Sequence, residues 1–244
     1  MRGVKAVLFD LFDTLVEFRN DRLHVVSLDG REIRSSSPVL YELFKGRWPE
    51  VPFETFHRAF VGSWEDVRAE REIDDREVTA DVRFQRLFAR LGIADAPLEA
   101  LRGLVATHAR QLLRCMECPE ANRDLLKRVG ARYPLGLVSN FDHAATAWTA
   151  LEQFELRPCF RSIVISAEVG VRKPRREIFQ RALNELRVEP ADALFVGDDF
   201  RADVVGARRM GLTAVWLDRG RSQPVDGVVP DHTIKELGEL EALL

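Results

Sequence analysis

Short apolar runs, each closing on polar residues, punctuate the chain at Val4 to Phe9, Leu135 to Val138, Ile163 to Ile165, Ala193 to Val196 and Thr213 to Leu217. Runs that are apolar at consecutive rather than alternate positions predict strands buried on both faces of a parallel sheet. Between them, helix-like segments cover Ala144 to Phe154, Arg176 to Leu186 and Asp203 to Met210. Gly211 follows the last of these, at the position glycine favours just beyond a helix. Strands alternating with helices predict an α/β fold: a parallel sheet with right-handed crossovers.

The stretch from Glu17 to about Cys118 breaks that alternation. Its pattern predicts helices at roughly Pro38 to Phe44, Phe53 to Arg71, Asp75 to Leu91 and Pro97 to Leu113. In the third, Val78, Val82, Gln85, Leu87, Phe88 and Leu91 suggest the core-facing stripe. Leu23 to Leu28 and Arg31 to Ser35 flank Asp29-Gly30, a pair suited to the positive φ angles of a tight hairpin turn. The expected organisation is an α/β core from residues 1–16 and 119–244, with a mainly helical domain inserted at 17–118 and a hairpin near 23–35.

Composition narrows the function. The 244 residues are 46% hydrophobic and 31% charged, enough for a substantial core, and the formal charge of −3 gives no broad electrostatic reason to bind nucleic acid or an anionic membrane. A small-molecule partner is expected, and no feature selects an oligomeric state. The first apolar run reaches Asp10 too soon for a signal peptide or a membrane span, which points to the cytoplasm. Cys115 and Cys118 form a lone CxxC with no second pair, and His108 does not complete a zinc ligand set, so a structural role is expected.

In open α/β sheets, ligands bind beyond the carboxyl ends of the strands, where connections reverse direction. That rule selects Asp10 and Asp13 after the first strand, Ser139 and Asn140 after the second, Ser166 after the third, and Asp198 and Asp199 after the fourth. Carboxylates suit Mg2+, a hard cation that takes oxygen ligands and often bridges protein to substrate phosphate. Asp10 and Asp198 are the leading ligands, and Asp203, at the start of an expected helix, is placed to orient a metal-bound water. Attack by Asp10 on a phosphate monoester would give an aspartyl-phosphate and split one hard displacement into two. Asp13, its pKa raised by neighbouring carboxylates, would serve as acid and then base. Lys173 and Ser139 offer a positive charge and a hydrogen bond to the transferring phosphoryl group.

Four ordered motifs then carry a family resemblance: Asp10-Leu11-Phe12-Asp13-Thr14-Leu15, Val138-Ser139-Asn140, Arg172-Lys173-Pro174, and Gly197-Asp198-Asp199 with Asp203 following. The chain resembles the haloacid dehalogenase (HAD) superfamily over essentially its whole length, with the helical insertion where one subgroup carries a cap domain. The resemblance implies a Rossmann-like sheet and a magnesium-dependent phosphatase acting on a small phosphorylated metabolite. It implies Asp10 as nucleophile and metal ligand, and Asp13 as acid/base whose backbone carbonyl also meets the metal. Asp198 becomes the remaining protein ligand, Asp203 an accessory one, and Ser139 and Lys173 bind phosphate. Asn140 is either a further phosphate ligand or a brace for its loop.

Rivals of the same fold are a haloacid dehalogenase, in which an aspartate attacks carbon without magnesium, and a sugar-phosphate mutase. Asp13 argues against the first, because dehalogenases of the family generally lack an aspartate there. A non-catalytic phosphate-binding member is a third alternative. A signalling receiver domain would need no hundred-residue insertion after its first strand.

Overall fold

Ala6–Phe9, four residues with no exposed surface, forms strand β1 at the centre of a six-stranded sheet. The structure, a computed structural model, describes residues 3–28 and 30–244. The chain divides into two compact units, Met1–Glu17 with Glu117–Leu244, and Phe18–Met116.

The first unit is an α/β fold. Its sheet adds β2 (Leu135–Ser139), β3 (Ser162–Ile165), β4 (Ala193–Gly197), β5 (Thr213–Leu217) and β6 (His232–Ile234), in the spatial order β6-β5-β4-β1-β2-β3. Every paired strand runs parallel to its neighbour. The order reverses at β1, so the carboxyl end of β1 is the switch point. Successive side chains alternate between faces: Ala6 and Leu8 join Ile178, Phe179, Ala182 and Leu183 of helix Arg176–Leu186 in one buried cluster. Strand β6 escapes the apolar-run criterion because its three residues, His-Thr-Ile, sit at the sheet edge. Helix Glu120–Gly130 also has no counterpart among the expected elements.

The expected helix at Asp203 to Met210 starts earlier and in another form. Phe200–Val205 winds as a π-helix and passes into an α-helix at Gly206–Met210. Its start is fixed by Asp199, whose side chain accepts a hydrogen bond from Ala202 N at 2.8 Å and so acts as the N-cap.

The second unit holds helices Ser37–Phe44, Phe53–Asp74, Ala80–Arg90 and Leu98–Arg114 around a core that includes Phe44, Phe56, Phe84 and Phe88. Strands His24–Leu28 and Arg31–Ser35 pair antiparallel, Val26 opposite Ile33. Gly30 takes a positive φ of 71°, as a tight turn demands, while Asp29 lies outside the described residues. The third helix begins at Ala80 rather than Asp75. Asp75 adopts a left-handed φ of 53° that ends the preceding helix, and Arg71 holds the link through Glu77 (2.8 Å) and Val78 O (2.6 Å). The buried stripe is therefore Ala80, Arg83, Phe84, Leu87 and Phe88, with Gln85 exposed. Val78, Leu87 and Phe88 are buried as expected, and Ala80, Arg83 and Phe84 complete the stripe at i, i+3, i+4, i+7 spacing in place of Val82 and Gln85.

Candidate active site

Register brings the acidic motifs together. Phe9 is level with Leu137 on one side and Val196 on the other, so Asp10 arrives beside Val138 and Gly197. Asp10 N donates to Val196 O at 2.9 Å, continuing the ladder one residue past the strand. Gly197 is needed for a steric reason: a Cβ there would fall 2.1 Å from Asp203 Oδ2. Without a side chain at 197, the Asp203 carboxylate fits against the strand end and accepts from Asp199 N at 3.0 Å.

Lys173 lies between two of the acids, its Nζ 2.5 Å from Asp10 Oδ1 and 2.7 Å from Asp203 Oδ1. It is 2% exposed. Burial disfavours its ammonium, but the two carboxylates outweigh that and hold its pKa above the ordinary value. Burial raises the pKa of Asp10 against the pull of Lys173, and raises that of Asp203 in the same way. Burial and the charges of Asp10 and Asp13 lift Asp198 to about 7.

Oxygen atoms of Asp10, Asp198 and Asp203 all lie within 4.8 Å of one another, the one such group among the described residues. Three carboxylates against one ammonium leave an excess of negative charge, and the donors are all hard oxygens. The residues therefore fit a divalent cation of the magnesium type. Asp203 already serves Lys173 and Asp199 N, which suits it to orient groups rather than act as the principal ligand.

The other expected residues take definite places. Ser139 ends β2 with a fully buried Oγ that has no hydrogen-bond partner among the described residues. Asn140 braces the Lys173 loop: its Oδ1 accepts from Lys173 N (2.8 Å) and its Nδ2 donates to Lys173 O (3.0 Å). Oδ1 and one Nδ2–H of Asn140 thus serve the loop, the bracing role that was one of the two expected for it. Ser166 Oγ ties Phe141, accepting from its N (2.9 Å) and donating to its O (3.2 Å). Thr14 Oγ1 donates to Asp198 Oδ1 at 3.3 Å.

Asp13 has a left-handed φ of 61°, held by Asp13 N donating to Val16 O at 2.7 Å. An aspartate tolerates that region better than most residues. Besides the carboxylates anticipated around it, Asp13 meets a cation: Arg221 Nη1 lies 2.5 Å from its Oδ1. Arg219 docks beside it, Nη1 2.8 Å from Glu17 Oε1. Neither arginine carries a sequence signal, since both lie more than two hundred positions from their partners in the loop after β5.

Asp10, Phe12, Asp13, Asn140, Arg172, Lys173, Asp198, Asp199, Ala202 and Asp203 line a cavity of about 210 Å³. Arg172 of the third motif is part of that wall. A larger groove, about 700 Å³, runs along Arg176 to Glu185 but contains none of the buried acids. The chemistry selects the smaller one.

In the helical unit, His57 and Arg68 are engaged locally. His57 is fully buried, its Nδ1 2.6 Å from Ser37 Oγ, and burial lowers its pKa. Arg68 lies over Trp64, 5.3 Å from the ring centre. Cys115 and Cys118 are buried free thiols, and burial pushes Cys118 to about 11, away from redox reactivity.

The model of the haloacid dehalogenase-like hydrolases matches residues 4–211. The chain belongs to this family. It is 27% identical over its full length to glyceraldehyde 3-phosphate phosphatase of Pyrococcus furiosus, covering 94% of that protein. It is also 25% identical to (S)-2-haloacid dehalogenase 4A of Burkholderia cepacia, over 99% of this chain and 95% of that one. Among solved structures, the HAD-hydrolase YfnB of Bacillus subtilis bound to magnesium superposes with a TM-score of 0.64 at 20% identity, covering 100% of this chain and 99% of that one. The HAD family thus accounts for the Rossmann-like sheet, the switch-point site and the order of the motifs.

Proposed function

We propose that this HAD hydrolase is a magnesium-dependent phosphatase that cleaves a small phosphorylated metabolite through an aspartyl-phosphate on Asp10. The observation that carries the reading is the buried constellation of Asp10, Asp198, Asp203 and Lys173, with Asp13 turned into the same cavity wall. The glyceraldehyde 3-phosphate phosphatase relatives support it.

Asp10, Asp198 and the Asp13 carbonyl would hold the magnesium, which when bound neutralises phosphate charge. Asp10 attacks phosphorus through a carboxylate oxygen while the bond from phosphorus to the leaving oxygen breaks. Lys173, fixed between Asp10 and Asp203, holds the positive charge that the transferring group meets, and the unpartnered Ser139 hydroxyl donates to one of its oxygens. Asp13 gives a proton to the leaving alcohol and then takes one from the water that hydrolyses the aspartyl-phosphate. Asp203 keeps Lys173 in place. The helical unit, residues 17–118 in the expected boundaries, acts as a cap domain that selects the leaving group.

No helix among the described residues is long and apolar enough to cross a membrane. The test is phosphate release from p-nitrophenyl phosphate with magnesium and with excess chelator, beside halide release from 2-chloropropionate. Metal-dependent phosphate release is expected. Turnover undiminished by chelator overturns the metal's role, and halide release at a comparable rate favours the dehalogenase reading that the Burkholderia relative keeps in view.

A further inference from the structure

The pairing of Arg221 with Asp13 bears on the identity of the leaving group. Arg221 is presented by a loop tied down on both sides. Before it, Asp218 N donates to Ile234 O (2.9 Å), and the Asp218 carboxylate accepts from Gly220 N (2.9 Å) and pairs with Lys235 Nζ (2.5 Å). Gly220 takes the positive φ of 71° that turns the chain there. After it, Ser222 Oγ accepts from Phe200 N at 2.8 Å, at the start of the π-helix that bears Asp203. The guanidinium is thus fixed by backbone anchors on either side while its own side chain stays 52% exposed.

Among the described residues its single hydrogen-bond acceptor is Asp13 Oδ1, at 2.5 Å through Nη1. A guanidinium carries five N–H donors in a planar fork, so most of the fork is left for something else. The proposed acid/base must come within about 2.6 to 3.2 Å of the leaving oxygen. Adding the Asp13 to Arg221 distance puts Nη1 within about 6 Å of that oxygen if the same carboxylate oxygen serves both. A group one or two bonds beyond the ester oxygen falls inside that reach.

We propose that Arg221 is a specificity residue that binds an anionic group on the leaving alcohol, so that the preferred substrates are phosphate monoesters carrying a carboxylate next to the ester carbon. A carboxylate meets the guanidinium fork with two oxygens and a compensating charge, whereas a neutral hydroxyl or aldehyde offers a single oxygen and no charge. The proposal rests on the phosphatase reading and refines it.

The experiment compares two esters of nearly equal size, phosphoglycolate and 2-hydroxyethyl phosphate, with wild-type enzyme, Arg221→Gln and Arg221→Lys in magnesium. Wild type is expected to favour phosphoglycolate by about tenfold or more in kcat/KM, as sites built to pair a charged group do. Arg221→Gln is expected to lose at least about tenfold more on phosphoglycolate than on the neutral ester, mainly through KM, and Arg221→Lys to recover part of that difference. Equal losses on both esters, in kcat alone, would show that Arg221 only braces Asp13 and would overturn the proposal. So would a wild type that turns over both esters without preference, and that result leaves the phosphatase reading standing. Absence of phosphate release from either ester and from p-nitrophenyl phosphate would overturn the two together.

Discussion

The two units differ in the polar groups they bury: the helical unit holds a balanced ion pair, Arg71 with Glu77, whereas the α/β unit crowds three carboxylates around one ammonium. In the α/β unit, Lys173 sits among Asp10 and Asp203 with full charges at 2.5 and 2.7 Å, and every acid in the cluster is pushed toward its protonated form. In the helical unit, the buried chain from Ser35 through Ser37 Oγ (3.0 Å) to His57 Nδ1 (2.6 Å) is built from uncharged groups, and burial keeps His57 neutral. Arg83 there lies against aromatic faces, 4.6 Å over Phe60 and 5.6 Å over Phe84. Neutral hydrogen-bonded groups cost little to bury, whereas an unbalanced set of carboxylates is expensive. An unbalanced, expensive arrangement at a switch point is where the proposed chemistry is placed.

The largest effect that would break this contrast concerns Asp10. Asp10→Asn is expected to lower phosphate release by about a thousandfold or more, as removal of a nucleophile does, with an unchanged far-UV circular dichroism spectrum. A folded variant that keeps most of its turnover would take the nucleophile role from Asp10.

Next comes a matched pair of stability measurements. Lys173→Met leaves two buried carboxylates without their cation and is expected to cost about 3–5 kcal/mol at neutral pH in urea unfolding. Phe84→Ala, at 1% exposure in the helical core, is expected to cost about 3–5 kcal/mol through the cavity it opens. Their pH dependence separates them. The folded pKa values of Asp10 and Asp203 lie above the unfolded value of 3.8, so the folded state binds more protons and loses stability as pH rises through that interval. The Lys173→Met deficit should therefore shrink toward acid pH, while the Phe84→Ala deficit stays flat.

Metal addition should show a smaller effect of the same origin. Magnesium at a hundred times its Kd is expected to stabilise the protein by about 2.7 kcal/mol in thermal or urea unfolding. Asp198, raised from 3.8 to about 7, is protonated in the metal-free folded state below that value and ionised above it. The midpoint shift at fixed magnesium concentration should accordingly be larger at pH 8 than at pH 5. A shift independent of pH would remove these carboxylates as ligands.

The smallest effect is local. Asp199→Ala removes the cap on Ala202 N and is expected to cost about 1 kcal/mol in urea unfolding.

The amino-acid pattern by itself determined a great deal. Five consecutive-apolar runs mark strands β1 to β5, because a strand covered on both faces has no polar position to alternate with. The same runs fix where each strand ends, and so which polar residues reach the switch point. Edge strand β6 was not legible, since three residues of mixed polarity leave no periodic trace. Neither was the start of helix Ala80–Arg90, which depends on the turn at Asp75 and the Arg71 to Glu77 ion pair.

What only the tertiary structure decided is the partner of each chemical group. Asn140 and Lys173 are 33 positions apart, Lys173 and Asp10 are 163 apart, and Arg221 and Asp13 are 208 apart. Short-range pattern records which face of an element is buried, whereas the pairing of charges across loops depends on strand register and loop anchoring. The nucleophile, metal-ligand and acid/base candidates were therefore visible as residues at strand ends. The loop that Asn140 braces, the glycine that admits Asp203 and the guanidinium beside Asp13 emerged only when the sheet had brought their loops together.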